Sequence, residues 1–159
     1  MPNPARRPPA DPAYAERCRA SFGRQAAMRL IGGRLSRIEP GVAEVALDFR
    51  DDLTQQKGYV HGGIVGMIAD SACGYAAYSL MPASSSLVTV EYKINILAPA
   101  RRSLVARGEV VRAGRTLTVA KADVFDEDGA HVAAMQQTLM MLADTSDVPD
   151  VPDVPNTPG

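Results

Sequence analysis

The chain runs from His61 to Met81 without a proline, through His61-Gly62-Gly63 and on into a segment rich in glycine and alanine. Ile64, Met67, Ile68, Ser71, Tyr75 and Tyr78 recur at helical spacing and form one stripe, bulky except at Ser71. Ala69, Ala72 and Ala76 lie beside that stripe, and Pro82 is expected to end the run. The pattern predicts a long central helix with most of its surface buried. Such a helix needs other elements of the fold to cover it. A membrane span is not expected, because Asp70 and His61 fall inside the most apolar stretch and a carboxylate in hydrocarbon is costly.

The flanking segments supply the sheet. Tyr14 to Leu30 has helical composition, interrupted at Gly23. Gly33 to Ile38 and Val42 to Phe49 read as a hairpin turning at Glu39-Pro40-Gly41, with Ala43, Val45, Leu47 and Phe49 as an apolar row of period two. Arg50 to Val60 is mostly polar and reads as a loop. After the helix, Ser86 to Ala98 alternates, with Val88, Val90, Tyr92, Ile94 and Ile96 on one face and Thr89, Glu91, Lys93 and Asn95 on the other. Ser103 to Arg112, Thr116 to Phe125 and His131 to Leu142 follow, joined by turns at Ala113-Gly114 and Glu127-Asp128-Gly129. The order helix, hairpin, long helix, four-strand meander predicts an α+β domain with the helix packed on one sheet.

Both ends read differently from this body. Residues 1–12 carry five prolines and no periodicity, and residues 144–159 repeat Val-Pro-Asp. We expect disordered tails at 1–12 and 144–159, the second acidic, around one domain at 13–143. At 159 residues there is length for one core. A formal net charge of −1 provides no global field for nucleic acid or an anionic membrane surface, so neither is expected as a partner. Cys18 and Cys73 form no ligand spacing, so no metal is expected, and no dinucleotide or Walker fingerprint calls for a cofactor. Two thiols and no apolar signal segment make a cytoplasmic location the expectation.

The chemistry should lie on the central helix. Glycines at a helix start let a ligand approach bare backbone, and the first N–H groups there have no partner within the helix. With the helix dipole, Gly62 and Gly63 can stabilise a developing oxyanion, although the same glycines also suit close packing or a turn. Asp70 sits among small residues, with Gly63, Gly66, Gly74 and Ala77 within about 40° of its direction, so its face should be bare enough for a ligand or another chain. It can serve as a base, or be a carboxylate at a polar edge. Gly62 and Asp70 are about 12 Å apart along the helix, beyond the reach of an aspartate side chain. If both act on one atom, they most simply come from two copies of the chain, with antiparallel central helices in a two-fold dimer. Gln55 in the loop, His61, and Thr89 on the polar strand face are further candidates, each also readable as an ordinary loop, structural or strand residue.

Gln55, Val60-His61-Gly62-Gly63, Ile68-Ala69-Asp70-Ser71-Ala72, Thr89-Val90-Glu91-Tyr92-Lys93-Ile94-Asn95 and Ala98-Pro99-Ala100 together resemble the PaaI-type hotdog thioesterases, over about Phe22 to Leu142. The resemblance implies a hotdog fold, a curved antiparallel sheet wrapped around the long helix, in homodimers and often homotetramers. It implies hydrolysis of acyl-CoA thioesters with an aryl or medium-chain acyl group. There the Gly62 N–H would meet the thioester carbonyl and Asp70 of the partner would act as base or nucleophile. His61 and Gln55 would set the carbonyl and the water, and Thr89 would assist the water. Gly74 departs from relatives that place a hydroxyl residue one turn after the acid. Arg101 and Arg102 are candidates for the phosphates of CoA. A non-catalytic acyl-CoA-binding hotdog module and a hotdog hydratase or dehydratase are the alternatives. The first would not need Asp70, and the second generally pairs its histidine with an acid in a different local motif.

Overall fold

A computed structural model describes residues 8–148. The predicted central helix is α3 (Gly62–Tyr78), which packs on β4, β2, β5, β3 and β6 and buries most of its length. Those strands belong to one antiparallel sheet of six: β1 (Arg34–Glu39), β2 (Val42–Leu47), β3 (Ser85–Ile96), β4 (Leu104–Ala113), β5 (Leu117–Asp126) and β6 (His131–Ala143). The helix lies close to the sheet because Gly108 on β4 has no side chain. A Cβ there would sit 2.3 Å from the carbonyl carbon and oxygen of Ala72, so the two backbones nearly touch. Ile68, Ala69, Ala72, Cys73 and Ala76 on α3 join Val45, Leu47, Leu104, Ala106, Ala120, Val124 and Leu139 from the sheet in the core. The small residues along α3 thus serve close approach to strands, and amphipathicity in the usual sense is weak.

Three readings of the sequence are corrected here. The four C-terminal strands are not one meander. The sheet order is β1-β2-β4-β5-β6-β3, so β4, β5 and β6 are consecutive hairpins while β3 crosses over and pairs with β6 as an edge strand. Nothing in the local spacing distinguishes a strand that pairs with its successor from one that pairs two strands on. The N-terminal helical region breaks at Gln25, not Gly23, into α1 (Tyr14–Arg24) and α2 (Ala26–Ile31). Gln25 is extended there (φ −69°, ψ 102°), and its side chain donates to the Tyr75 hydroxyl at 3.0 Å, which favours the break two residues later. Finally, α3 stops at Tyr78, before Pro82. Ser79 closes it by donating from Oγ to the Ala76 carbonyl at 2.7 Å and accepting from the Gly41 N–H at 2.8 Å.

α1 lies against α3. Phe22 meets Tyr75 edge-on at 5.3 Å, and Arg17 donates to the carbonyls of Tyr78 and Met81 and to Asp11. The Ala13 N–H, and after it the Arg17 guanidinium, hold the Asp11 carboxyl below the usual carboxylate range. The expected tails 1–12 and 144–159 fall largely outside the described residues. Their inner ends are packed, however: Asp11 is buried, and Asp147 accepts two hydrogen bonds of 2.8 Å from Arg24 on α1. No described helix is long and apolar enough to cross a membrane.

Candidate active site

Two separate clusters emerge, one at each end of the first half of α3. At the start, His61 caps the helix: its Nδ1 accepts the Gly63 N–H at 2.9 Å. Gly63, expected as a backbone contact for substrate, therefore has its amide occupied, which leaves the N–H of Gly62 without an acceptor among the described residues. All three residues are exposed. Because Nδ1 accepts, the neutral imidazole carries its proton on Nε2, which is left as a donor.

The preceding loop is pinned at both ends. Thr54 bridges to Val60, the His61 N–H donates to the Leu53 carbonyl at 2.9 Å, and the Val60 N–H donates to the Ala100 carbonyl at 2.8 Å. Gln55 is half-buried in it, and its Oε1 accepts the Lys57 N–H, while its NH₂ group has no acceptor among the described residues. The Arg101 guanidinium stacks over the Tyr59 ring at 4.3 Å, and one of its nitrogens donates to the Tyr59 hydroxyl at 2.5 Å. Arg102 is held by Glu127 at 3.4 Å and Asp128 at 2.8 Å. The two arginines proposed for phosphate therefore differ: Arg102 is neutralised by two acids, and Arg101 pairs with none of the described acids.

The second cluster surrounds Asp70. Gly62, Gly66, Asp70 and Gly74 form one row at intervals of four, and β3 runs antiparallel along it. A Cβ on Gly62 would meet Ile96 at 4.0 Å, one on Gly66 the Tyr92 hydroxyl at 3.7 Å, and one on Gly74 Leu87 at 4.0 Å. The bare face predicted around Asp70 is thus lined by a strand of the same chain. Opposite Asp70 itself stands Thr89, whose Oγ1 donates to Asp70 Oδ1 at 2.8 Å.

Thr89 reaches Asp70 because of a bulge. Register between β3 and β6 shifts between Thr89 and Glu91, leaving Val90 as the extra residue. Leu87 and Thr89 before the bulge, and Tyr92, Ile94 and Ile96 after it, share the helix side. Val88 and Glu91 are on the other, where Glu91 accepts from the Thr138 hydroxyl at 2.6 Å. This corrects the single alternating row expected for β3, which placed Thr89 opposite Tyr92 and Ile94. Unbroken period two could not deliver both faces.

A residue absent from the sequence reading completes the cluster. Gln137 on β6 is fully buried and donates from Nε2 to Asp70 Oδ1 and, at 2.8 Å, to Thr89 Oγ1. Its signal lay in the sequence: Ala133, Met135, Gln137 and Leu139 make one buried row, and Gln137 is the polar member. Both donors converge on Oδ1, and Asp70 Oδ2 accepts nothing from the described residues. Asp70 is half-buried and borders a cavity of about 300 Å³ between α1, α3 and β3, lined also by Thr89, Leu87, Gly74, Tyr75, Tyr78, Ser21 and Gln25.

Other candidates drop out. Burial pushes the Cys18 thiol up to about 12 and the Cys73 thiol higher still, so neither supplies a thiolate at neutral pH. His131 is exposed, pairs with Asp123 at 2.9 Å and stacks on Phe125. Among the described residues, no three His, Cys, Asp or Glu side chains are grouped to hold a metal.

Comparison with known proteins adds a family to this geometry. Residues 57–133 match the thioesterase superfamily, a span that contains His61, Gly62, Asp70 and Thr89 and ends before Gln137. A crystal structure of a thioesterase family protein from Silicibacter pomeroyi is 46% identical, with a TM-score of 0.79 over 82% of this chain and 98% of that one. The 1,4-dihydroxy-2-naphthoyl-CoA hydrolase of Listeria monocytogenes is 29% identical over 61% of this chain and 80% of its own. The E. coli PaaI protein from the phenylacetic acid degradation operon shares the fold, with a TM-score of 0.77 at 20% identity over 83% of this chain and 95% of that one.

Proposed function

The chain belongs to the thioesterase superfamily, has the hotdog fold and is a thioester hydrolase, and from that premise we propose that it cleaves acyl-CoA thioesters with Asp70 as the reacting carboxylate. The observation that carries this reading is the state of Asp70: one oxygen is held by side-chain donors, the other accepts from none of the described residues, and the group borders a cavity. A carboxylate arranged in this way can remove a proton from a water attacking the thioester carbonyl. It can also attack that carbon itself, forming an anhydride that water then opens. Either way the C–S bond breaks, the thiolate of CoA leaves and takes a proton, and the acid is released.

The carbonyl oxygen gains negative charge as the tetrahedral intermediate forms. The Gly62 N–H at the positive end of α3 would donate to it, with the His61 Nε2–H as a second donor and the Gln55 NH₂ group beside them. Gly62 and Asp70 are eight residues apart on one straight helix, about 12 Å along its axis, so one chain does not bring them to a single atom. A homodimer would do so. β3 is an edge strand twelve residues long that exposes Val88, Val90, Tyr92 and Ile96, which is an edge suited to pairing with a copy of itself. Two such edges joined antiparallel would set the α3 helices side by side in opposite directions and create two equivalent sites. The cavity beside Asp70, walled by Tyr75, Tyr78 and Leu87, would take an aryl or medium-chain acyl group. Arg101, on its Tyr59 platform next to the start of α3, would face the CoA phosphates.

The test is a panel of aryl and straight-chain acyl-CoAs, with released thiol as the readout, on the wild type and Asp70→Asn. Turnover of at least one aryl or medium-chain substrate is expected, lower by about 10²-fold or more in the variant. Equal turnover in both removes Asp70 from the mechanism. No turnover anywhere on the panel, with acyl-CoA still bound, makes the chain a binding module.

A further inference from the structure

The catalytic scheme above has no role for Gln137, one of the two side chains that donate to Asp70. Gln137 is 0% exposed, in a row whose other members are Ala133, Met135 and Leu139. Its Nε2 group meets two acceptors, Asp70 Oδ1 and Thr89 Oγ1, while its Oε1 is buried with no partner among the described residues. The acceptors dictate that orientation. Turned over, the amide would set its oxygen against a carboxylate oxygen. A buried carbonyl without a donor opposes folding, and methionine at this position would avoid the loss at nearly the same size. The amide therefore answers to Asp70 and not to the core around it.

We propose that Gln137 is a positioning residue for the hydrolysis, acting through Asp70 and Thr89. This rests on the reading of Asp70 as the reacting carboxylate. The Thr89 hydroxyl has one proton. Because Gln137 donates to its oxygen, that proton is directed to Asp70 Oδ1. Two donors from two different strands, β3 and β6, then converge on a single oxygen. A carboxylate on a helix otherwise rotates about its last bond with little preference. Gripped at Oδ1, it cannot exchange its oxygens, and Oδ2 is the atom always presented to water or to the thioester carbon. Holding a reacting atom in place in this manner is worth a large factor in rate and little in ground-state binding.

The experiment is a kinetic cycle: wild type, Gln137→Met, Asp70→Asn and the double variant, each with an acyl-CoA that the wild type turns over, and each with a thermal melt. Gln137→Met is expected to lower kcat by about 10-fold to 100-fold, to leave KM within about threefold, and to melt no lower than the wild type. In the Asp70→Asn background the same change is expected to have no further effect on kcat. An unchanged kcat for Gln137→Met, or an equal loss in both backgrounds, overturns the proposal. Should Gln137→Met not fold, Gln137→Asn, which stays polar but is one methylene short of Asp70, carries the same expectations for kcat and KM, with a lower melting temperature. If Asp70→Asn is as active as the wild type, the hydrolytic role of Asp70 itself fails. If Asp70→Asn is inactive and Gln137→Met is unimpaired, only the role of Gln137 fails.

Discussion

The two clusters on α3 are built by opposite means. The mouth at His61-Gly62-Gly63 is made of neighbours in sequence, is exposed, and offers a backbone N–H whose position follows from the helix start and the His61 cap. The Asp70 cluster is made of residues 19 and 67 positions away, on β3 and β6, and offers side chains whose positions depend on register. One half-site needs only a helix to exist. The other needs the whole sheet. A reaction that uses both therefore joins a locally encoded electrostatic element to a globally encoded acid, and dimerisation would bring one of each together twice.

The sharpest way to break this comparison is to remove the mouth without touching the helix. Proline is tolerated at the first position of a helix, where its missing N–H has no intrahelical partner, provided the residue before it is extended. His61 has φ −58° and ψ 135°, and the nearest atom to a Gly62 Cβ is 4.0 Å away, so Gly62→Pro should fold normally. With the donor gone, kcat is expected to drop by about 10²-fold to 10³-fold at unchanged melting temperature. Mixing is the stricter version. Hybrid dimers of Gly62→Pro and Asp70→Asn chains, refolded together at equal amounts, should regain about a quarter of wild-type activity, since half the dimers are hybrid and each hybrid has one intact site of two. No recovery would mean that Gly62 and Asp70 do not meet in one site across a dimer.

Next in size is a change at the globally encoded end. Gly108→Ala would push a methyl group to 2.3 Å from the Ala72 backbone and force α3 away from β4. A loss of roughly 3 kcal/mol in urea unfolding is expected, because backbone cannot yield as a side chain can. In whatever still folds, activity should fall as well, since the α3-to-sheet spacing places Asp70 against Thr89. Normal stability in this variant would show that the helix and sheet have slack.

The smallest effect belongs to the surface beside the mouth. Arg101→Ala should raise KM for acyl-CoA by about threefold with kcat unchanged, while Arg102→Ala, whose charge Glu127 and Asp128 already share, should do less. Equal effects from both would mean that the Tyr59 platform does not matter.

Much of this was legible without coordinates, and the failures have a pattern. The strand extents, the hairpins β4-β5 and β5-β6 and the helix from Gly62 all follow from periodicity and turn residues. The position of β3 did not, because pairing with β6 in place of β4 is a choice between two distant partners that leaves no mark on local spacing. Thr89 was picked out, yet on a face assigned wrongly, because one bulge residue, Val90, reverses every face that follows it. Gln137 was missed altogether. A glutamine in an apolar strand row looks like an exception to the pattern until the carboxylate it serves is seen across the core.

What the amino-acid order determined by itself is the long, glycine-lined helix, its capped N-terminus with one unpaired amide, and a single carboxylate two turns further on, since each depends on contacts within a few residues. Only the tertiary structure decided which side chains hold that carboxylate and which of its oxygens is left open. Those contacts link α3 to strands that are brought together by long-range pairing, and the free energy of that pairing is a property of the whole sheet.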